Sequence, residues 1–302
     1  MFSGDEPMKG SLVAKNHTFD DRLERNHLVA NSGVEYATYG VNHAAHCFHD
    51  CEYCYARDVE KHWGRIASAD EWVEVSLVKD AAEQVDLQLS RKRTKPDRIH
   101  LSFMTDPFMW DYRTGEIVPQ IAEVTIALIK VINKHGIPVT VLTKGIYPDL
   151  DVGSMHEDNQ YGITVVSLND KFHESWESKS PAARDRIPAL IRLAEKGAKT
   201  WASVEPYPTP NMDPDAANPL PLLEALGFID KFIFGRMNYR TDVTDYLRTD
   251  PTFFERVAAD VSKWCQANGK PLHIKKRTPL HTMATVNILE TDASRAIRAT
   301  WP

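Results

Sequence analysis

Apolar runs rich in β-branched and aromatic residues alternate along the chain with stretches whose apolar positions recur every three to four residues. That is the pattern of repeated strand–helix units around a parallel sheet. Extended segments are predicted at 34–41, 98–103, 138–143, 162–167, 199–204 and 232–235, with a last one at 272–275 closing an edge. Between them, Ile121, Val124, Leu128, Val131 and Ile132 fall on one helical face after Pro119, and Gly136 marks the stop. Ser180-Pro181 and Asp250-Pro251 each read as an N-cap followed by proline at the first helical position. Pro188 sits inside the next helical pattern and is expected to start, kink or split that helix. The pattern over 250–268 is amphipathic, and its Cys265 reads as a small buried hydrophobe.

Six such units predict an α/β fold, a partial (β/α)6 TIM-type barrel with a lateral opening. The division expected is an N-terminal extension over 1–33, a barrel core over 34–270, and a C-terminal strand and tail over 271–302 packing on the barrel. The charged stretch 20–25 reads as an ordered wrap or lid beside the barrel mouth, with a disordered arm as the alternative.

In βα barrels chemistry sits on the loops that follow the C-terminal ends of the strands. Five polar clusters stand where predicted strands stop: Ser102-Phe103-Met104-Thr105-Asp106-Pro107, Thr143-Lys144-Gly145, Ser167-Leu168-Asn169, Ser203-Val204-Glu205-Pro206 and Arg236-Met237-Asn238-Tyr239-Arg240. Convergence of five strand ends on one rim is hard to explain by packing. Each cluster alone has a plainer reading, since Thr105-Asp106 can cap a turn, Asn169 can hold an Asx turn and Lys144 can be solvated.

The densest chemistry lies after the first predicted strand, where Cys47, Cys51 and Cys54 fall within eight residues. Three thiolates this close suit one cubane iron–sulfur cluster, which takes four sulfur ligands when fully thiolate-bound, so one iron is left open. An open iron can chelate a small molecule through an amine and a carboxylate. The competing reading is a closed zinc site completed by His43, His46 or His49, although such sites usually draw ligands from two separated pairs. A disulfide fits an odd trio poorly.

Composition changes the picture only slightly. A chain of 302 residues with 42% hydrophobic content can bury a full core. No segment approaches the roughly 20 apolar residues of a membrane span, and the N-terminus carries no secretory pattern. A cytoplasmic location without a membrane partner is therefore expected, which suits reduced cysteines. The formal net charge of −6 argues against broad nucleic-acid affinity. The two basic runs, 91–95 and 275–277, read as solvated ends.

The cysteine string, with Tyr53 before the last cysteine, resembles the signature of the radical S-adenosylmethionine superfamily. The run Cys51-Glu52-Tyr53-Cys54-Tyr55-Ala56-Arg57, together with Thr105-Asp106, Thr143-Lys144 and Ser167-Leu168-Asn169, is similar to its spore photoproduct lyase-like group. That resemblance implies a [4Fe-4S] cluster on Cys47, Cys51 and Cys54, and S-adenosylmethionine cleaved reductively to a 5′-deoxyadenosyl radical. It implies Tyr53 near the adenine, Ser102, Thr105 and Asp106 around the amino group, Lys144 and Ser167 holding the cofactor, and Asn169 and Glu205 near the ribose or substrate. Glu205, Arg236 and Tyr55 are the candidate catalytic groups, the first two orienting and the tyrosine relaying a radical unless it serves as a packing surface. A flavodoxin- or ferredoxin-type protein would donate the electron.

One position departs from the group. Spore photoproduct lyase has a hydrogen-donating cysteine where this chain has Phe103, and the Met104 thioether has no hydrogen on sulfur to give. A different substrate is therefore implied, either a small molecule or a nucleobase. Two alternatives remain: an enzyme modifying or repairing nucleic acid, and a metal-stabilised binding protein without catalysis.

Overall fold

The computed structural model describes residues 20–23 and 27–278, so the expectations for the rest of the extension and for the tail beyond 278 fall outside the described residues. Its strands are β1 (Asp20–Leu23), β2 (Val29–Val34), β3 (Ala37–Val41), β4 (Ala44–Ala45), β5 (Ser76–Val78), β6 (Ile99–Leu101), β7 (Trp110–Asp111), β8 (Glu116–Ile117), β9 (Val139–Thr143), β10 (Gln160–Thr164), β11 (Lys199–Tyr207), β12 (Lys231–Arg236) and β13 (Leu272–Ile274). Its α-helices are α1 (Tyr55–His62), α2 (Ala69–Trp72), α3 (Ala81–Arg91), α4 (Pro119–Lys134), α5 (Asp170–Trp176), α6 (Ala183–Glu195), α7 (Leu220–Ala225), α8 (Thr241–Thr249) and α9 (Phe253–Ala267).

Eight strands form one curled half-barrel sheet in the order β13-β12-β11-β10-β9-β6-β3-β2. All neighbours pair in parallel except β2 with β3. The six predicted units are thus present, and 272–275 does supply an edge strand, parallel to β12 with Phe232 opposite Leu272. A separate small sheet, β1-β5-β4, places 20–23 beside the loop that carries the cysteines.

Alternation decides what faces where. Ile99 and Leu101, Val139 and Val141, Tyr161 and Ile163, and Phe232 and Phe234 join the apolar core with Val85 and Leu89 of α3, Leu128 and Ile132 of α4, and Val257 and Cys265 of α9. Residues of opposite parity, among them His100, Thr140 and Trp201, therefore point into the curl. Cys265 is buried as a packing residue, and burial pushes its thiol up to about 12.

Four local expectations are corrected. The segment 34–41 is not one strand but part of a hairpin, because Ser32 Oγ donates to Ala37 O and accepts from Val34 N, turning the chain between β2 and β3. Helix α6 starts at Ala183, since Ser180 is drawn back to Glu177 O at 3.0 Å. Pro188 lies within that helix on its exposed side, where water can satisfy the freed carbonyl. Helix α9 starts at Phe253, two residues beyond Pro251, as the Asp250 carboxylate is taken up by Arg256.

Candidate functional site

The cysteine loop leaves the C-terminal end of β3 and closes on α1, with Cys54 as the N-cap residue and its carbonyl accepting from Asp58 N. Two residues in left-handed backbone, His46 (φ 68°) and Asp50 (φ 40°), turn it. A second apolar cluster, including Cys47, Phe48, Ala56, Ile66, Trp72 and Met109, seats the loop. Cys47 N donates to Trp72 O at 3.2 Å and Cys54 N to Cys51 O at 3.0 Å. Burial pushes all three thiols up, Cys51 to about 12, although Lys144 pulls Cys51 and Cys54 the other way.

The donor set can be tested against the groups that the sequence suggested. His43 Nε2 lies 2.9 Å from Thr125 Oγ1, His46 Nδ1 2.8 Å from Glu74 O, and His49 Nε2 accepts from Trp110 N at 2.8 Å. Burial brings the His49 imidazole down to about 4, against the pull of Asp106. His49 is engaged at Nε2 and faces Asp106 with Nδ1, whereas His46 engages Nδ1 alone, and a ring held so through one nitrogen can still ligate through the other, so His46 is the imidazole that the zinc reading would need. The three thiols each lie within electrostatic reach of the other two. Among the described residues no three His, Cys, Asp or Glu side chains are gathered closely enough to hold a metal ion as they stand, so ligation would draw the sulfurs together.

Braces hold the loop from outside. Asp50 pairs with Arg57 and with Lys179, while Glu52 N donates to Trp176 O and Glu52 O accepts from the Arg240 guanidinium. Tyr53 donates its hydroxyl to Glu177, whose other oxygen pairs with Arg186. Lys144 Nζ sits 5.2 Å from the centre of the Tyr53 ring. Neither Glu177 nor Arg186 was singled out from the sequence. The available signal was a charged residue on an apolar face, because Arg186 shares its helix face with Ala189, Leu190 and Leu193.

Asp106 organises the next two loops. Its Oδ1 accepts from Phe108 N at 3.0 Å and from Thr143 Oγ1 at 2.5 Å, while Oδ2 accepts from Lys144 N at 2.7 Å and lies 3.5 Å from His49 Nδ1. Thr105 Oγ1 donates to His46 O at 2.6 Å. Both residues, expected to contact a cofactor, are thus anchored to protein and set the place of Lys144 and the cysteine loop. Asn42, also missed in the sequence, does the same for the Ser102 loop by accepting from Phe103 N and Met104 N. An Asp106→Asn chain should lose about 1–3 kcal/mol, because an amide nitrogen replaces an acceptor facing a buried donor. A denaturant titration measures it, and unchanged stability would count against this organising role.

The remaining candidates divide into two groups. Ser167 Oγ accepts from Asn169 N at 2.9 Å, and Asn169 caps α5 while donating to Asp213 and Asp215. These two residues border a cleft of about 270 Å³ against α5 and α6. Glu205 Oε1 lies 3.2 Å from Lys275 Nζ, so that lysine of the second basic run faces the site rather than solvent alone. Burial raises the Glu205 carboxyl in spite of Lys275 and Lys144. Gly235 leaves room for it, since a Cβ there would come within 2.9 Å of Glu205 Cδ. Arg236 turns to its own loop through Asn238 Oδ1 at 2.9 Å, not to Glu205. Tyr55 donates to Phe103 O, and Ser102 Oγ is buried with no hydrogen-bond partner among the described residues.

No family model matches the chain. An uncharacterized protein of Methanocaldococcus jannaschii is 28% identical over 172 residues, 56% of this chain and 60% of that protein. An uncharacterized protein of Mycobacterium tuberculosis is 23% identical over 183 residues, 59% of this chain and 52% of that protein. The match therefore spans between half and two thirds of the curated relatives' length. Among solved structures, a variant of spore photoproduct lyase superposes with a TM-score of 0.58 at 13% identity, covering 83% of this chain and 79% of that one. Spore photoproduct lyase in complex with dinucleoside spore photoproduct gives 0.52 at 16% identity, over 74% and 64%. The chain shares the partial-barrel fold of spore photoproduct lyase, as the sequence resemblance implied.

Proposed function

We propose that the chain is a radical S-adenosylmethionine enzyme in which Cys47, Cys51 and Cys54 hold a [4Fe-4S] cluster. The observation that carries this reading is the trio of free thiols on the one loop that leaves the C-terminal end of β3. Bound there, the cluster would supply one electron to S-adenosylmethionine, and the resulting 5′-deoxyadenosyl radical would take a hydrogen atom from substrate. The chain's own part is placement. Lys144 and Tyr53, fixed by Asp106 and Glu177, offer a cation and a flat ring to the cofactor, and the orphaned Ser102 hydroxyl offers a hydrogen bond. Glu205 with Lys275, and Arg236 at the end of β12, the strand between β11 and β13, would supply charge-assisted contacts for ribose or substrate. Ser167 and Asn169 shape the adjoining loop. The electron would come from a flavodoxin- or ferredoxin-type protein in the reducing cytoplasm.

A nucleic-acid substrate is a second reading with an observation behind it. The exposed aromatic side chains among the described residues are Tyr55, Trp63, Tyr112 and Tyr239, of which Trp63 stands at the C-terminal end of α1. Trp63 has Arg65 at 6.0 Å, Tyr112 has Lys179 at 5.6 Å, and Tyr239 has Arg277 at 5.9 Å. Rings interleaved with cations suit stacked bases on a phosphate backbone, and one of the fold's solved relatives carries a dinucleoside photoproduct.

The main test is anaerobic reconstitution with iron and sulfide, then dithionite and S-adenosylmethionine, with 5′-deoxyadenosine read by chromatography. Its formation is the expected result. Uptake of one zinc per chain and no iron would overturn the reading in favour of a metal-stabilised binding protein.

A further inference from the structure

The two outer edges of the curled sheet, β2 and β13, share no strand pairing, yet one turn joins them. Glu35, in the turn between β2 and β3, accepts from Lys276 N just beyond β13, with Oε1 at 3.3 Å and Oε2 at 3.2 Å. The same carboxylate lies 3.8 Å from His273 Nε2 and 3.9 Å from Lys275 Nζ. Tyr36, the next residue, sets its ring 5.3 Å from Lys275 Nζ and 6.4 Å from the His273 ring. These two side chains thus bridge the lateral opening of the half-barrel. Neither was singled out from the sequence.

The bridge ends on a candidate catalytic group. Lys275 Nζ, 3.9 Å from Glu35 Oε1, is also 3.2 Å from Glu205 Oε1, so one ammonium stands between two carboxylates. The side chains of Glu35, Glu205 and Lys275 are 15%, 21% and 24% exposed, so water screens them only in part. The charged and titratable groups that face Glu205 come from four elements: Lys275 from β13, Lys144 from the loop after β9, Glu35 and Tyr36 from the β2–β3 turn, and Tyr55 from α1. Burial raises the Glu205 carboxyl most and Glu35 adds to it, whereas Lys275 and Lys144 oppose them. A single ammonium cannot fully compensate two carboxylates at once.

We propose that Glu35 is a positioning residue for Glu205, acting through the shared Lys275: by holding that ammonium from the far edge of the sheet, Glu35 leaves Glu205 able to meet a ligand as a hydrogen-bond-donating acid. A protonated carboxyl donates one hydrogen bond, so the ligand group that suits it is a lone acceptor oxygen or nitrogen. With residue 35 neutral, Lys275 serves Glu205 alone and fixes it as a carboxylate, which only accepts. This inference rests on the proposed function only in giving Glu205 a ligand to meet; the shared charge belongs to the β2–β3 turn, β11 and β13 and not to the cysteine loop.

Carbon-13 NMR of the full chain labelled at its glutamate carboxyls tests this, with the Glu205 resonance identified by its absence from Glu205→Gln. Glu35→Gln keeps an acceptor for Lys276 N but not the charge, and Glu205 should then titrate about one pH unit lower than in the parent. Glu35→Asp restores the charge and should recover most of that drop. Lys275→Met removes the shared ammonium and should raise the Glu205 titration by about one pH unit or more. That variant leaves residue 35 intact, so it decides the matter should Glu35→Gln fold poorly. If Glu35→Gln changes only the melting temperature and Glu205 titrates as in the parent, Glu35 merely ties the edges of the sheet and the proposal fails. No recovery in Glu35→Asp, or an unmoved titration in Lys275→Met, overturns it equally. The titration is read without S-adenosylmethionine and 5′-deoxyadenosine formation is read separately, so failure of the cluster reading leaves the charge result standing, and the converse holds.

Discussion

A Cys51→Ala chain reconstituted with iron and sulfide should show no cubane absorption, and its 5′-deoxyadenosine formation should fall more than about a hundredfold, to background. Losing even an outer partner of a metal ligand costs about 10–100-fold in affinity or activity, and here a ligand itself is removed from a set of three. No other cysteine can replace it, since the fourth, Cys265, is buried in the helix layer on α9. The fold should survive, because removing one sulfur from a packed site costs about 1 kcal/mol, which circular dichroism and a melt can confirm. Cys265→Ala supplies the contrast: it trims a core contact and should leave iron loading as in the parent. Full activity in the Cys51 variant would remove the basis for the proposed function.

The fold was legible because alternation and helical periodicity are local. The runs at 138–143, 199–204 and 232–235 each became a strand of the curled sheet with ends shifted by a few residues. Errors at the helix starts arose where one local contact outcompeted another. Ser180 looked like a cap and is instead held by Glu177, and Asp250 looked like a cap and is instead bound by Arg256. A different reason, contact between residues distant in sequence, hid half of the site. Tyr53 and Glu177 are 124 positions apart, and Glu205 and Lys275 meet only because β11, β12 and β13 lie side by side. The strand-end rule misplaced one cluster, since 203–206 lies inside β11, and it could not say which polar groups are spent on the protein. Asp106 and Asn169 are so spent, whereas Ser102 is not.

Glu177→Gln should destabilise the chain by about 3–5 kcal/mol, the usual effect of stranding one partner of a buried ion pair. The residue is 4% exposed and Arg186 1%, and their contact is joined by Arg186 bonds to Pro181 O at 2.6 Å, Thr164 O at 2.7 Å and Ser180 Oγ at 2.9 Å. Burial by itself would raise the Glu177 carboxyl, but Arg186, Lys144 and the Tyr53 hydroxyl together hold it below its ordinary value. A carboxylate depressed in the folded state lends stability that is complete above its unfolded value, about 4.3, and is lost as pH falls through the folded one. The parent should therefore lose stability on acidification below about pH 4.3 more steeply than the Gln variant, which lacks this titration. The pair also serves the site, since Glu177 is the acceptor that fixes Tyr53 between Cys51 and Cys54. Glu177→Leu combined with Arg186→Met separates the two roles. Apolar side chains of similar size should recover much of the lost stability, yet Tyr53 would still lack its acceptor. Iron uptake or 5′-deoxyadenosine formation should then stay depressed in a chain that melts near the parent temperature. If both recover together with the melt, the pair supports only the fold and Tyr53 needs no anchor.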